Sequence, residues 1–136
     1  MTSTHDLPTV AGWWSGADIA TRAKLRLGDE RRETKERNQD RKALWRAFRK
    51  AGVTGGSEPP PEQTAPAVDA AIAFTAQSPA RLALIPIEDV LGLSEQPNLP
   101  GTIDEHPNWR RRLAKPAAEV LDPPQVRARL KTLRER

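Results

Sequence analysis

The sequence contains no cysteine and only two histidines, His5 and His106, among its 136 residues. Without cysteine the chain cannot form a disulfide, a thiolate zinc site or a cysteine nucleophile. Two histidines also argue against a metal site built from several imidazoles, and we predict no metal. The residues Leu, Ile, Val and Phe together number only 26. This content is near the edge of the composition that is typical of disordered chains, so the core must be small.

Long apolar runs are also missing. The longest, residues 82–87, is far shorter than the roughly 20 residues that a membrane span needs. The first 20 residues lack the basic region and the apolar region of a signal peptide. We therefore expect a cytoplasmic location and no membrane partner.

The charge is nearly balanced, with 22 Lys and Arg against 18 Asp and Glu and a net charge of +4. This balance permits nucleic-acid binding without requiring it. Acidic residues interrupt the basic positions of the longest predicted helix, and no glycine-rich phosphate loop is present. We therefore expect no nucleic-acid partner and interpret the basic residues as solvated helix faces.

The strongest helix signal covers residues 29–51, with acidic residues at its start, basic residues at its end and Gly52 after it. Its large apolar residues, Leu44, Trp45 and Phe48, occur only in the second half, so only that end requires a partner surface. Weaker patterns predict further helices or single helical turns over residues 9–15, 18–27, 65–77, 88–92, 109–113 and 123–134.

One segment, residues 81–87, predicts a β-strand. Its continuous apolar residues are typical of a strand buried on both faces of a parallel sheet, and Pro86 would end its hydrogen bonding. A single strand forms no sheet, so the pattern predicts an α/β architecture whose partner strands are absent from this chain. Residues 53–63 predict a loop or linker, and residues 94–108 predict a proline-rich loop.

The first candidate site is the pair His5 and Asp6, in a loop that precedes a predicted helix. A carboxylate can stabilise a developing positive charge, and an imidazole can hydrogen-bond a substrate hydroxyl. The alternative is that Asp6 or Thr9 caps the helix while His5 is a solvated loop residue.

The second candidate site is the run Asp104, Glu105 and His106, which carries metal-binding groups. Adjacent side chains point apart unless the loop is tightly folded, so a structural loop whose Trp109 docks into a core is the favoured alternative. Tryptophan faces stack on sugar rings as readily as they fill cores. We interpret the tryptophans as structural by default, with Trp14 as the best candidate for a ligand contact.

Two motifs at opposite ends of the chain carry a resemblance to a known family. The first is Thr4-His5-Asp6-Leu7-Pro8-Thr9, followed by Gly12-Trp13-Trp14 and Gly16-Ala17-Asp18. The second is Glu88-Asp89-Val90-Leu91-Gly92, followed by Glu95-Gln96-Pro97-Asn98-Leu99-Pro100-Gly101-Thr102 and His106-Pro107-Asn108-Trp109-Arg110-Arg111. They resemble the last catalytic motif and the C-terminal signature of amylomaltases, the 4-α-glucanotransferases or disproportionating enzymes. Residues 22–63 match the family only in general character.

The resemblance implies an activity and roles for individual residues. The family cuts an α-1,4 bond and transfers the released piece to the 4-hydroxyl of another glucan, with retention, on a (β/α)8 TIM barrel and without a cofactor. Retention needs a carboxylate nucleophile and a second carboxyl group as acid and base. The resemblance gives Asp6 the role of transition-state stabiliser and His5 that of a sugar-binding histidine, while Trp14 is the further candidate for substrate binding.

The sequence departs from the family in one respect. In the family the nucleophile and the acid/base precede the His-Asp motif, whereas here only residues 1–4 precede it. Residues 1–136 therefore resemble the C-terminal portion of the catalytic barrel, with residues 82–87 as its eighth strand and residues 29–77 as a helical connection. We expect an incomplete barrel, mostly helical with one or two short strands, that is marginally stable and inactive alone. Its partners would be an α-1,4-glucan or maltooligosaccharide and the N-terminal part of the enzyme. The alternatives are a non-catalytic glucan-binding module and a basic interaction module.

Overall fold

Seven α-helices make up the regular structure of residues 1–134, the part of the chain that the computed structural model describes. No β-strand occurs within these residues. Within the same range, every helix is too short or too polar to cross a lipid bilayer. The helices are α1 Val10–Ser15, α2 Ala17–Lys24, α3 Glu30–Lys50, α4 Ala65–Ala76, α5 Ile87–Leu91, α6 Ala117–Val120 and α7 Pro124–Arg134.

Local capping determines where the first helices begin and end. The Thr9 hydroxyl accepts a hydrogen bond from the Gly12 amide at 3.0 Å, which satisfies one of the free amides of the first turn of α1. Gly16 has a φ of 82°, a left-handed conformation that ends α1 and lets α2 start in a new direction. Asp29 caps α3 in the same way as Thr9, because its carboxylate accepts from the Arg32 amide at 3.0 Å.

The long helix α3 confirms the prediction for residues 29–51 within one residue at each end. Its first turns are mainly exposed, whereas Arg41, Trp45 and Phe48 are buried. The predicted division into a solvated first half and a packed second half is therefore also confirmed. The packed half meets α4 and lies over the carboxyl end of α1.

The core consists of aromatic rings from α1 and α3 packed against alanines of α4. Trp14 and Trp45 lie with ring centroids 5.7 Å apart, and the centroids of Trp45 and Phe48 are 6.2 Å apart. The small alanine side chains let the helix backbone approach these rings. The buried alanines of this cluster are Ala67, Ala70 and Ala71, and a neighbouring cluster contains Ala11, Val68 and Ile72.

The last helix, α7, packs on α4 and α5 through a buried arginine that the apolar pattern did not predict. Arg129 is only 5% exposed; its Nε donates to Asp69 of α4 at 2.6 Å, and one Nη donates to the Val90 carbonyl of α5 at 2.8 Å. A buried guanidinium needs several acceptors, and these two bonds join three helices.

The strand predicted over residues 81–87 is wrong for the described chain. Residues 82–86 have no regular secondary structure, α5 begins at Ile87, and Leu82 and Leu84 are 69% and 50% exposed. An extended segment becomes a strand only when a neighbour accepts and donates its backbone hydrogen bonds, and residues 1–134 contain no such neighbour. The α/β class is thus replaced, within these residues, by a helical architecture.

The helical turn predicted over residues 109–113 is also wrong. Trp109 has a φ of 58°, which is incompatible with a right-handed helix, and its amide donates across the loop to the Pro97 carbonyl at 3.0 Å. A long-range hydrogen bond replaces the local one that a helical turn would make.

Candidate functional site

His5 and Asp6 lie together on an exposed turn that directly precedes α1. The turn is closed by a hydrogen bond from the Leu7 amide to the Thr4 carbonyl, at 3.1 Å. His5 Nε2 lies 3.4 Å from one carboxylate oxygen of Asp6, and the two side chains are 59% and 52% exposed. Both groups are therefore accessible to a dissolved ligand.

The proline-rich loop brings two further side chains to the same turn. Asn98 Nδ2 donates to the other carboxylate oxygen of Asp6 at 2.7 Å. The rings of Trp109 and His5 have centroids 5.3 Å apart with an interplanar angle of 46°. The two motifs, from opposite ends of the sequence, thus meet at one surface site formed by His5, Asp6, Asn98 and Trp109.

Trp109 does not dock into a core, contrary to the structural alternative favoured from the sequence. Its side chain belongs to the exposed residues, at 65% exposure. Asn108 shapes the loop around it: its amide oxygen accepts from the Leu99 amide at 2.9 Å, and its Nδ2 donates to the Thr102 hydroxyl at 2.9 Å. Leu99 is buried and anchors the loop, so the backbone that carries Asn98 and Trp109 is held in place.

The run Asp104, Glu105 and His106 points in three directions. Asp104 lies 3.5 Å from Arg110 at the surface, whereas His106 is buried with its Nε2 3.1 Å from the Gln96 carbonyl oxygen. Glu105 accepts from the backbone amide of Ile103 at 2.8 Å, a bond that lowers the pKa of Glu105 below its usual range. Within residues 1–134, no three His, Asp or Glu side chains gather as a set of metal ligands.

Trp14 lies at the centre of the helical core and is 0% exposed. Its Nε1 has no hydrogen-bond acceptor among the described residues. A fully enclosed indole presents no face on which a sugar ring can stack, so its glucan contact stays a prediction that this placement does not support.

Two arginines of α3 are engaged inside the molecule rather than on a basic surface. Arg37 pairs with Asp18 at 2.8 Å and lies over the Trp13 ring, with Cζ 4.5 Å from its centroid. Arg41 donates to the Trp14 carbonyl at 2.7 Å; burial lowers its pKa, although a guanidinium stays charged at any ordinary pH. These contacts fix the end of α1 and reduce the basic surface available to a nucleic acid.

Asp89 of α5 is a buried carboxylate whose role could not be predicted from the sequence. It accepts from the hydroxyls of Thr2 and Ser3, at 2.5 and 2.7 Å, and from the Val10 amide at 2.7 Å. Asn98 was likewise part of the second motif without an assigned role. Membership of that motif was the only signal for either residue, because their partners lie 79 to 92 positions away in the chain.

An apolar cavity of about 410 Å³ lies beside the N-terminal segment. Its walls come from that segment and from α1, α3 and α4, and include Leu7, Trp13, Phe48 and Phe74. A sugar ring carries hydroxyls that need hydrogen-bond partners, and this lining offers few. The cavity is better suited to apolar side chains than to a glucan.

Comparisons with known proteins agree on one family. The sequence profile described as 4-alpha-glucanotransferase matches residues 1–118. A curated 4-alpha-glucanotransferase of Mycobacterium tuberculosis is 35% identical over 122 residues, which cover 88% of this chain and 16% of that protein. A 4-alpha-glucanotransferase of Haemophilus influenzae is 27% identical over 129 residues, covering 86% of this chain and 18% of that protein. The chain therefore spans less than a fifth of the length of these relatives.

Proposed function

The chain belongs to the 4-alpha-glucanotransferase family, and from this premise we propose that it contributes Asp6 to the transfer of α-1,4-glucan segments. In this reaction a segment moves to the 4-hydroxyl of an acceptor glucan or glucose with retention. The observation that supports the proposal is the meeting of the two motifs: Asn98 holds Asp6, and Trp109 lies beside His5.

Asp6 is suited to stabilise the transition state of glycosyl transfer. That state has oxocarbenium character, and a carboxylate held in place before the reaction stabilises its positive charge. The bond from Asn98 restricts one oxygen of Asp6, while the other faces His5 at 3.4 Å. His5 then hydrogen-bonds a sugar hydroxyl, and the exposed face of Trp109 supports a pyranose ring.

The remaining catalytic groups come, in this proposal, from a partner that corresponds to the N-terminal part of the enzyme. A retaining transfer needs a nucleophile and an acid/base besides a stabilising carboxylate, so these 136 residues are inactive alone. The share of the relatives that the chain covers, 16% to 18%, is consistent with this. The exposed Leu82 and Leu84 and the apolar cavity are the surfaces on which the partner would complete the barrel.

Disproportionation of maltotriose tests the proposal. The chain alone should release no glucose, and mixing or co-expression with the N-terminal part of a 4-alpha-glucanotransferase should produce transfer. In the mixture, Asp6→Asn should lower kcat by about 100-fold or more, the effect expected when a preorganised charge stabiliser is removed.

Asp104→Asn is the matched control, because Asp104 is an exposed carboxylate of the proline-rich loop whose ion pair is with Arg110, at 3.5 Å, and not with the His5–Asp6 turn. It should leave kcat within about twofold of the unmodified mixture. Transfer by the isolated chain, or full activity of the Asp6→Asn mixture, would contradict the proposal.

A non-catalytic glucan-binding module is the second candidate, because the exposed His5 and Trp109 rings are already adjacent within this chain. Calorimetry with maltoheptaose separates the candidates. Heat of binding that persists in Asp6→Asn, together with a mixture that never turns over, would favour a binding module. Turnover in the mixture would favour the transferase.

A further inference from the structure

Asp89 is a completely buried carboxylate, at 0% exposure, on the short helix α5. Burying a carboxylate is unfavourable unless hydrogen-bond donors compensate for the lost water. Here the three donors, from Thr2, Ser3 and Val10, all lie within 2.7 Å of its oxygens.

All three donors flank the turn that carries His5 and Asp6. Thr2 and Ser3 precede the turn, and Val10 follows it as the first residue of α1. The Val10 amide has no acceptor within its own helix, since the first four amides of any α-helix lack one. One carboxylate therefore ties down both ends of the turn.

Asp89 is itself held in place by the contacts of α5 with other helices. An isolated helix of five residues is not stable, so α5 depends on tertiary contacts. Arg129 supplies one of these contacts, because it donates to the carbonyl oxygen of Val90, the residue next to Asp89. Arg129 in turn donates to Asp69, which links α5 to the core helix α4.

We propose that Asp89 is a positioning residue for Asp6: it sets where the His5–Asp6 turn lies relative to Asn98 and hence relative to the substrate. This rests on the proposed function of Asp6. The segment from α5 to Asn98 is short, so the same anchor locates both partners of the Asp6–Asn98 hydrogen bond. A role limited to stability would instead affect the whole core equally.

The first test is amide hydrogen exchange of the full chain by NMR, with Asp89→Asn as the variant. Asparagine has nearly the same size but is neutral and keeps only one acceptor oxygen. Either the Val10 amide loses its acceptor, or the Thr2 and Ser3 hydroxyls must reverse and accept, and in both cases the charge-assisted hydrogen bonds are lost. Exchange at Val10 should accelerate by about tenfold or more, and the nuclear Overhauser contact between the His5 and Trp109 rings should vanish. The Ile72 amide in α4 should keep its protection.

The second test measures kinetics in the mixture with the N-terminal part. A displaced turn should lower kcat by about 10- to 100-fold and change KM by less than about threefold, because positioning acts mainly on the reacting geometry. Asp122→Asn is the matched control: this carboxylate pairs with Arg127 at 2.8 Å and lies outside both motifs. It should leave kcat and KM unchanged.

The double variant Thr2→Val with Ser3→Ala removes two donors without altering α5, and it should reproduce both effects of Asp89→Asn to a smaller extent. The proposal is overturned if Val10 and the ring contact are unchanged in these variants, or if Ile72 loses protection in parallel. An unmodified mixture without transfer would instead refute the proposed function, and the exchange data would still decide the role of Asp89.

Discussion

Helix α4 and the irregular segment of residues 82–86 are both rich in apolar residues, yet only the helix buries them. Val68 and Ile72 of α4 are at most 1% exposed, whereas Leu82 and Leu84 of the segment are 69% and 50% exposed. A helix satisfies its backbone internally and needs only side-chain partners, which α1, α3 and α7 supply. An extended segment also needs partner strands, and none lies within the described residues. Apolar sequence is therefore buried only where the chain provides the matching kind of partner.

Trp14→Ala, in the buried core, should have the largest effect on the free energy of unfolding. Removing a buried tryptophan costs about 3–5 kcal/mol of unfolding free energy, a large share of the roughly 5–15 kcal/mol of an ordinary domain. Urea titration followed by circular dichroism should show loss of cooperative unfolding or a much lower midpoint. Leu84→Ala is the control from the exposed side and should change the unfolding free energy by less than about 0.5 kcal/mol. Equal losses in both variants would contradict the assignment of the core to α1, α3 and α4.

Leu84→Ser should separate the stability of the chain from its assembly with the N-terminal part of the enzyme. The variant should unfold like the parent chain, because half of the Leu84 surface is already exposed. If the N-terminal part covers this segment, the variant should weaken assembly about tenfold or more, the loss expected for one buried leucine. Titration of transferase activity against the concentration of the N-terminal part measures this. Ile103→Ser, at an 81% exposed position outside the segment, is the control. Unchanged assembly with Leu84→Ser would exclude Leu84 from the interface.

The smallest expected effect is the pH dependence of the hydrogen bonds of Glu105. This residue lies in an exposed loop, and its carboxylate accepts from the Ile103 and Asp104 amides of the same loop. Its pKa is lowered by the hydrogen bond from the Ile103 amide, so the open loop binds a proton more tightly than the closed one. The bonds are therefore fully favourable above the usual glutamate pKa of about 4.3 and are lost as the pH falls through the lowered value. NMR titration of the Ile103 and Asp104 amides should report this acid transition. Glu105→Gln should abolish the transition, whereas a midpoint above 4.3 would contradict the assignment.

The helices were largely predictable from the sequence because their signals are local. Asp29 lies at the start of α3 and the residues of its packed face repeat at helical spacing, so neighbours along the chain suffice to define it. The same locality explains the prediction of α4 and α5. The His5–Asp6 candidate also followed from adjacent residues, together with the resemblance of its motif to a family.

The remaining features depended on distant residues. Asn98 and Trp109 reach the His5–Asp6 turn only through a loop that Pro97 and Asn108 hold by long-range hydrogen bonds. Asp89 and Arg129 bind partners on other helices, and charged residues are ordinarily expected at the surface. No periodicity in the sequence signals such pairs.

By itself, the sequence determined the longer helices, the polarity of α3 and the motif that marks the family, because these depend on residues close together in the chain. Only the tertiary structure decided which tryptophans are enclosed and which is exposed, that the apolar segment after α4 meets no partner strand within residues 1–134, and that one buried carboxylate binds both ends of the Asp6 turn. Those outcomes depend on which surfaces meet in space, and a backbone or side chain acquires its partner only when the whole chain has folded.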